Sequence, residues 1–160
     1  MRRMKAGWLA VLAAGLVGWL SADEAGAGAK PKATFDKIVL TSSGGFTGRG
    51  SGKALTVTGQ GKFTAKDREA ARDGVLQPDE LARLQKLVAA VDWKQVKTSY
   101  QGQGADFFQD DLTITVGGKT FETHITEDVD RKSLPPALRE LLAYLNALHA
   151  RYKPAGGADK

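Results

Sequence analysis

An α+β domain is the fold class this sequence predicts: a four- to five-stranded, mostly antiparallel sheet with two helices packed on one face. Three observations lead there. Phe35–Thr41 is rich in β-branched and aromatic residues and stops at small polar residues and glycines, as a buried strand does. Two pairs of short stretches alternate apolar and polar residues around glycine turns. Two longer stretches, one from Pro78 and one after Pro136, repeat their apolar residues at the spacing of an amphipathic helix.

The first 29 residues stand apart from that pattern. Met1-Arg2-Arg3-Met4-Lys5 is basic, Ala6–Leu20 is a 15-residue apolar run, and Ser21–Ala29 is small and polar with Ala-x-Ala sites at Ala25/Ala27 and Ala27/Ala29. That order is expected of a secretory signal peptide, and the run is shorter than the roughly 20 residues of a spanning helix. An uncleaved anchor is the other reading. The expectation is an exported protein, periplasmic or extracellular, with no membrane attachment after leader cleavage. The boundaries read as leader 1–29, a single domain 30–152 and a flexible tail 153–160 containing Pro154, Gly156 and Gly157. The 131 residues past the leader are enough for one domain. The chain has no cysteine, so no disulfide and no lipid-modified cysteine contribute and the core must hold alone. Loss of the leader removes Arg2, Arg3, Lys5, Asp23 and Glu24, which lowers 23 basic and 18 acidic residues to 20 and 16. Lys53, Lys62, Lys66, Arg68 and Arg72 are interrupted by acids and lack an aromatic ladder, which argues against nucleic-acid binding.

Past the first strand, Gly44-Gly45-Phe46-Thr47-Gly48-Arg49-Gly50-Ser51-Gly52 places five glycines in nine residues. Such a backbone takes φ > 0 or passes close to a partner more easily than any other. Phe46, the large apolar residue within it, either tucks back onto the sheet or projects as an anchor. Leu55–Thr58 and Lys62–Ala65 then flank Gly59-Gln60-Gly61, a three-residue turn that sets Val57 opposite Phe63 and Leu55 opposite Ala65. Lys66–Asp73 reads either as a turn of helix or as an extension of that hairpin, with Gly74 as a break. The helix Pro78–Val91 starts with Pro78 at its first position and with Asp79 and Glu80 where the helix dipole favours acids. Its stripe is Leu81, Leu84, Val88 and Val91, and Trp93 packs over its end. Tyr100–Ala105 reads as a loop. Phe107–Val116 and Lys119–Thr126 flank Gly117-Gly118, so Ile114 should face Phe121, Leu112 face Thr123, Thr113 face Glu122 and Asp111 face His124. Ser133-Leu134-Pro135-Pro136 signals a second helix to about Tyr152, with Leu138, Leu141, Leu142, Leu145 and Leu148 as its buried stripe and Arg151 and Lys153 at its C-terminal end.

The residues offer little chemistry. Gly48–Ala54 imitates a phosphate loop, but Thr47 stands where the first glycine is needed, Ala54 where a magnesium-binding hydroxyl is needed, and a strand follows. His124 and His149 lack zinc-ligand spacing. Asp106, Asp110, Asp111, Glu127, Asp128 and Asp130 lack calcium-loop spacing and read as a solvated acidic edge. No catalytic, cofactor-binding or metal-ligating residue is assigned, and the chain reads as a non-enzyme.

Taken in order, several motifs resemble one family. They are a strand ending in Ser43-Gly44-Gly45-Phe46-Thr47-Gly48, the helix start Gln77-Pro78-Asp79-Glu80-Leu81, Gly104-Ala105-Asp106-Phe107, the hairpin through Gly117-Gly118, and Leu134-Pro135-Pro136-Ala137-Leu138-Arg139-Glu140-Leu141-Leu142. Together they resemble emfourin, a family of protein inhibitors of protealysin-like, thermolysin-type metallopeptidases. The resemblance spans roughly Phe35–Leu148, and the leader, the charged stretch before the first helix and the extended last helix depart from its pattern. It implies a cofactor-free protein that non-covalently blocks the cleft of an exported thermolysin-type metallopeptidase. The lone phenylalanine among glycines makes Ser43, Gly44, Gly45, Phe46, Thr47 and Gly48 the candidate protease contacts, with Phe46 filling an apolar pocket. The alternative is a non-enzymatic envelope protein–protein interaction module, recruiting a partner by an exposed strand edge or acidic face. The pattern does not set an oligomeric state.

Overall fold

The computed structural model describes residues 34–44, 52–102, 108–126 and 129–154. Their elements follow in the order β1 (Lys37–Gly44), β2 (Lys53–Thr58), β3 (Lys62–Asp67), β4 (Ala70–Val75), α1 (Pro78–Ala90), β5 (Ser99–Tyr100), β6 (Phe108–Val116), β7 (Lys119–Thr126), a 3₁₀ turn (Arg131–Ser133) and α2 (Pro136–Tyr152). The strands form one sheet in the order β4-β3-β2-β1-β6-β7-β5, antiparallel except where β5 runs parallel to β7. β1 is thus a central strand, bonded to β2 on one side and β6 on the other.

Both glycine turns hold the expected registers. Gly117 and Gly118 take φ of 56° and 78°, the pair of left-handed conformations whose twist matches the flanking strands. Leu112 accordingly opposes Thr123, Thr113 opposes Glu122, Ile114 opposes Phe121 and Asp111 opposes His124. Across the three-residue turn Gly59–Gly61, Val57 opposes Phe63 and Leu55 opposes Ala65. With a side-chain period of two, these registers align Ile38, Leu40, Leu55, Val57, Phe63, Ala65, Leu112, Ile114 and Ile125 on one face, and all are buried.

The helices cover that face. Leu84 and Val88 of α1, and Leu138, Leu141, Leu142, Leu145 and Leu148 of α2, are buried in the same core as the inward strand residues. Trp93 packs past the end of α1, donating its indole N–H to the Val88 carbonyl at 3.2 Å and resting on Phe121 with ring centroids 5.6 Å apart. No helix among the described residues is long and apolar enough to cross a membrane.

Three expectations are corrected, and one open alternative, at Lys66–Asp73, is resolved. The sheet has seven strands, not four to five, because β4 and β5 join it. The ambiguous Lys66–Asp73 stretch is hairpin: β3 runs on to Asp67, turns through Arg68-Glu69 with Arg68 at φ 56°, and returns as β4. Gly74 does not break the chain but lies within β4 opposite Phe63, where a Cβ would stand 2.6 Å from the phenyl ring. The ring occupies the room glycine leaves and stacks on Tyr152 with centroids 4.4 Å apart. The Tyr100–Ala105 loop likewise begins inside β5, paired through Ser99 and Tyr100 to His124 and Ile125.

Candidate functional site

Of the six candidate contacts, Ser43 and Gly44 lie within the described residues, at the end of β1. Gly45, Phe46, Thr47 and Gly48 lie outside them. Gly44 pairs with Phe108 at a φ of 125°, a backbone that glycine alone adopts without strain, so strand pairing on this side continues to the residue where the glycine-rich segment begins. On the other side β2 starts at Lys53, opposite Ser42. Ser43 is exposed.

At the same end the inner face of β2, β1 and β6 turns from apolar to polar. Leu55, Leu40, Leu112 and Thr123 form one row across β2, β1, β6 and β7. The next row toward the end reads Lys53, Ser42, Asp110 and Ile125. Three strands therefore change from leucine to a polar residue at one level. Beside that row lies a cleft of about 370 Å³, bounded by Ser42, Lys53, Phe108, Asp110, Ile125, Thr126, Arg131 and Asn146. Ser42 donates its hydroxyl to Asp110 at 2.5 Å. Phe108 stands 45% exposed, one of the few large apolar side chains so open among the described residues. Neither Lys53 nor Arg131 has an ion-pair partner among the described residues.

Reading the sequence for motifs missed this cleft, since four strands, the 3₁₀ turn and α2 each contribute to it. A signal was nonetheless present. Ser42, Lys53 and Asp110 sit at positions whose period-two neighbours are Leu40, Leu55 and Leu112, so each breaks its strand's alternation where an apolar residue is due.

A second polar cluster lies under the opposite end, and Glu80 is its centre. Only 5% exposed, its carboxylate accepts from the Gln77 N–H at 3.0 Å, from the Tyr152 hydroxyl at 2.5 Å and from the Arg151 guanidinium. The Tyr144 hydroxyl donates to the Glu80 carbonyl at 3.2 Å. Burial alone would raise the Glu80 pKa, but the hydrogen bonds from Tyr152, the Gln77 N–H and Arg151 outweigh it and hold the group below the ordinary glutamate value. Tyr152, donating to that carboxylate, is held above the usual tyrosine range. Arg151 therefore reaches across to the start of α1 rather than serving its own helix end. Glu80 pins the N-terminus of α1 to the C-terminus of α2, a structural task.

The remaining titratable groups are similarly occupied. His124 lies beside Asp111 on the outer face, Nδ1 to Oδ1 at 2.6 Å, as the expected pairing of the two across the hairpin sets it. Buried His149 places Nε2 2.7 Å from the Lys66 carbonyl, so that nitrogen carries the proton. Of the acidic set, Asp110 takes the Ser42 hydroxyl, Asp111 faces His124, and Asp130 caps the 3₁₀ turn through the Lys132 N–H at 2.9 Å, so these three do not converge. Asp106, Glu127 and Asp128 lie outside the described residues. No known family model matches the chain, and comparison with curated proteins returns no match.

Proposed function

We propose that this chain is an exported inhibitor of a thermolysin-type, protealysin-like metallopeptidase, working without a cofactor by non-covalent blocking of the protease cleft. The observation that supports it best is the mounting of Ser43 and Gly44. They end a strand hydrogen-bonded on both flanks through most of its length, so the segment that follows starts from a rigid base. Contacts made by Ser43 and Gly44 themselves come from backbone already ordered by strand pairing, which limits the ordering cost of binding through them. Half-exposed Phe108, opposite Gly44 on β6, extends the surface a protease would meet.

The test is the residual activity of several thermolysin-type peptidases titrated with the purified protein. Stoichiometric loss is expected, and a folded Phe46→Ala protein should inhibit more weakly. No loss against any of them, with the protein folded, would sink the inhibitor reading.

One observation favours a second reading, the envelope interaction module. β4 is an edge strand exposed along nearly its whole length, with Val75 62% exposed, and a concavity of about 430 Å³ runs beside it over Thr56, Thr64 and Asp73. Such an edge accepts a further strand. Capture of a non-protease partner that is lost on Asp73→Pro substitution would favour it.

A further inference from the structure

The cleft at the loop end of the sheet combines two features that ordinary surface positions do not share. One wall is apolar, formed by half-exposed Phe108 and buried Ile125. The rim carries Lys53 and Arg131, two cations without an ion-pair partner among the described residues, although Asp110 lines the same cleft. Asp110 bonds instead to Ser42. By donating its hydroxyl to Asp110 at 2.5 Å it satisfies one carboxylate oxygen from within the sheet, and no oxygen of that group comes within ion-pair distance of either cation. Among the described residues that line it, the cleft carries two cations, Lys53 and Arg131, against the one carboxylate of Asp110. Asp67, opposite Lys53 across β2 and β3, is outside that lining and makes no ion pair with it. The Asn146 side chain adds a further hydrogen-bond donor from α2.

From this arrangement we infer that the cleft is a docking site for a peptide segment of a partner protein in which an acidic side chain adjoins an apolar one. The carboxylate meets Lys53 and Arg131 at the rim, and the apolar neighbour lies on Phe108 and Ile125. Charge complementarity selects the anion, because a lysine or arginine of a partner would face two like charges. The volume of about 370 Å³ suits one or two side chains rather than a folded element. This deepens the inhibitor reading by naming a partner contact beside Ser43 and Gly44; it rests on that reading for the partner's identity but not for the binding itself.

The experiment separates the two. Isotope-labelled protein is titrated with the tetrapeptide acetyl-Ala-Phe-Glu-Ala-amide, its Gln counterpart and sodium acetate, following amide resonances of Ser42, Phe108, Asp110 and Arg131 and the Asn146 side-chain amide by nuclear magnetic resonance. The glutamate peptide should move these signals saturably, at least about tenfold more tightly than the glutamine peptide or acetate. Its affinity should fall as ionic strength rises. A doubly substituted Lys53→Ala/Arg131→Ala protein, still giving a dispersed spectrum, should lose the response. The proposal is overturned by an unresponsive cleft, by equal binding of the glutamine peptide or acetate, or by full affinity in the double variant. A positive result with no peptidase inhibited would leave the cleft standing and remove the inhibitor reading.

Discussion

At one end of the sheet Asp36 ties two hairpins together; at the other, Ser42 and Asp110 bond to each other and leave their neighbours open. Asp36 donates its N–H to the Thr115 carbonyl at 2.8 Å, accepts from the Gly59 N–H at 2.9 Å, and takes the Gly118 N–H on its carboxylate at 3.1 Å. The Leu76 N–H adds a bond to the Gly61 carbonyl at 2.8 Å, fixing the approach to α1 beneath the same turns. Glu80 lies just inside that junction, almost wholly buried. At the loop end the corresponding row is polar, a cleft opens beside it, and two cations go unpaired among the described residues. The difference teaches where this fold keeps its spare surface. Polar groups near the turns are consumed in holding the elements together, and those near the loops are left for something else.

The largest expected effect asks whether the two ends draw on one core. Leu145 is fully buried beneath α2 within the cluster that all the inward strand residues share. Leu145→Ala should cost about 2–5 kcal/mol, read from chemical denaturation. Hydrogen exchange then sharpens the contrast between the ends. The amides of Gly61 and Leu76, bonded and buried at the turn end, should exchange faster by a factor matching that loss, because they open with the whole domain. Those of Ser42–Gly44 should change far less if the loop end opens locally. Equal acceleration at both ends would break the comparison.

A smaller effect probes the turn end through pH. Because its hydrogen bonds hold Glu80 below the ordinary glutamate value, the stabilisation it supplies is complete above the unfolded pKa of roughly 4.3. It is lost as pH falls through the lower folded value, where the carboxylate takes up a proton. Glu80→Gln should therefore destabilise by about 1–2 kcal/mol at neutral pH, an amount that already discounts the solvent-screened pair with largely exposed Arg151. The gap from the parent protein should narrow below about pH 4. Denaturation midpoints measured from pH 7 down to pH 3 check it, and a gap that stays constant would show that the buried charge is not what joins the helices. Lys53→Ala, at the other end, should change stability by no more than about 0.5 kcal/mol at any of these pH values.

How much of this was legible in the sequence follows from the range of the interactions involved. Gly117-Gly118 and Gly59-Gln60-Gly61 set their registers through local backbone conformation, so every cross-strand pair expected for the two hairpins is found. The leucine stripes of α1 and α2 were equally plain, since burial follows spacing along one element. β4 was obscured because Ala70–Val75 carries Arg72, Asp73 and Gly74, residues poor in strand propensity, and owes its conformation to pairing with β3. Glu80 read as an ordinary first-turn acid, and only the arrival of Arg151 and Tyr152 from about 70 residues away makes it a buried hub. The loop-end cleft depends on six elements meeting at one level, which no single stretch announces. The glycine-rich segment itself was the most conspicuous feature of the chain, and its candidate contacts Gly45–Gly48 lie outside the described residues.

The smallest expected effect falls between the two ends, at a position that serves neither. Thr123 opposes Leu112 on the inner face, is almost wholly buried, and its hydroxyl finds no hydrogen-bond partner among the described residues. A β-branched residue suits the strand, so the shape of threonine is right and only its oxygen is misplaced. Replacing that oxygen with a methyl group removes the cost of an unsatisfied buried hydroxyl at nearly constant volume. Thr123→Val should therefore stabilise the domain by about 1 kcal/mol, seen as a raised denaturation midpoint with an unchanged slope. A loss of stability would mean that the hydroxyl does have a partner in solution, a bridging water being the arrangement that an orphaned buried hydroxyl permits. In that case the middle of the sheet, like its turn end, would have its polar groups fully engaged, and the loop end would stand alone as the place where they are left free.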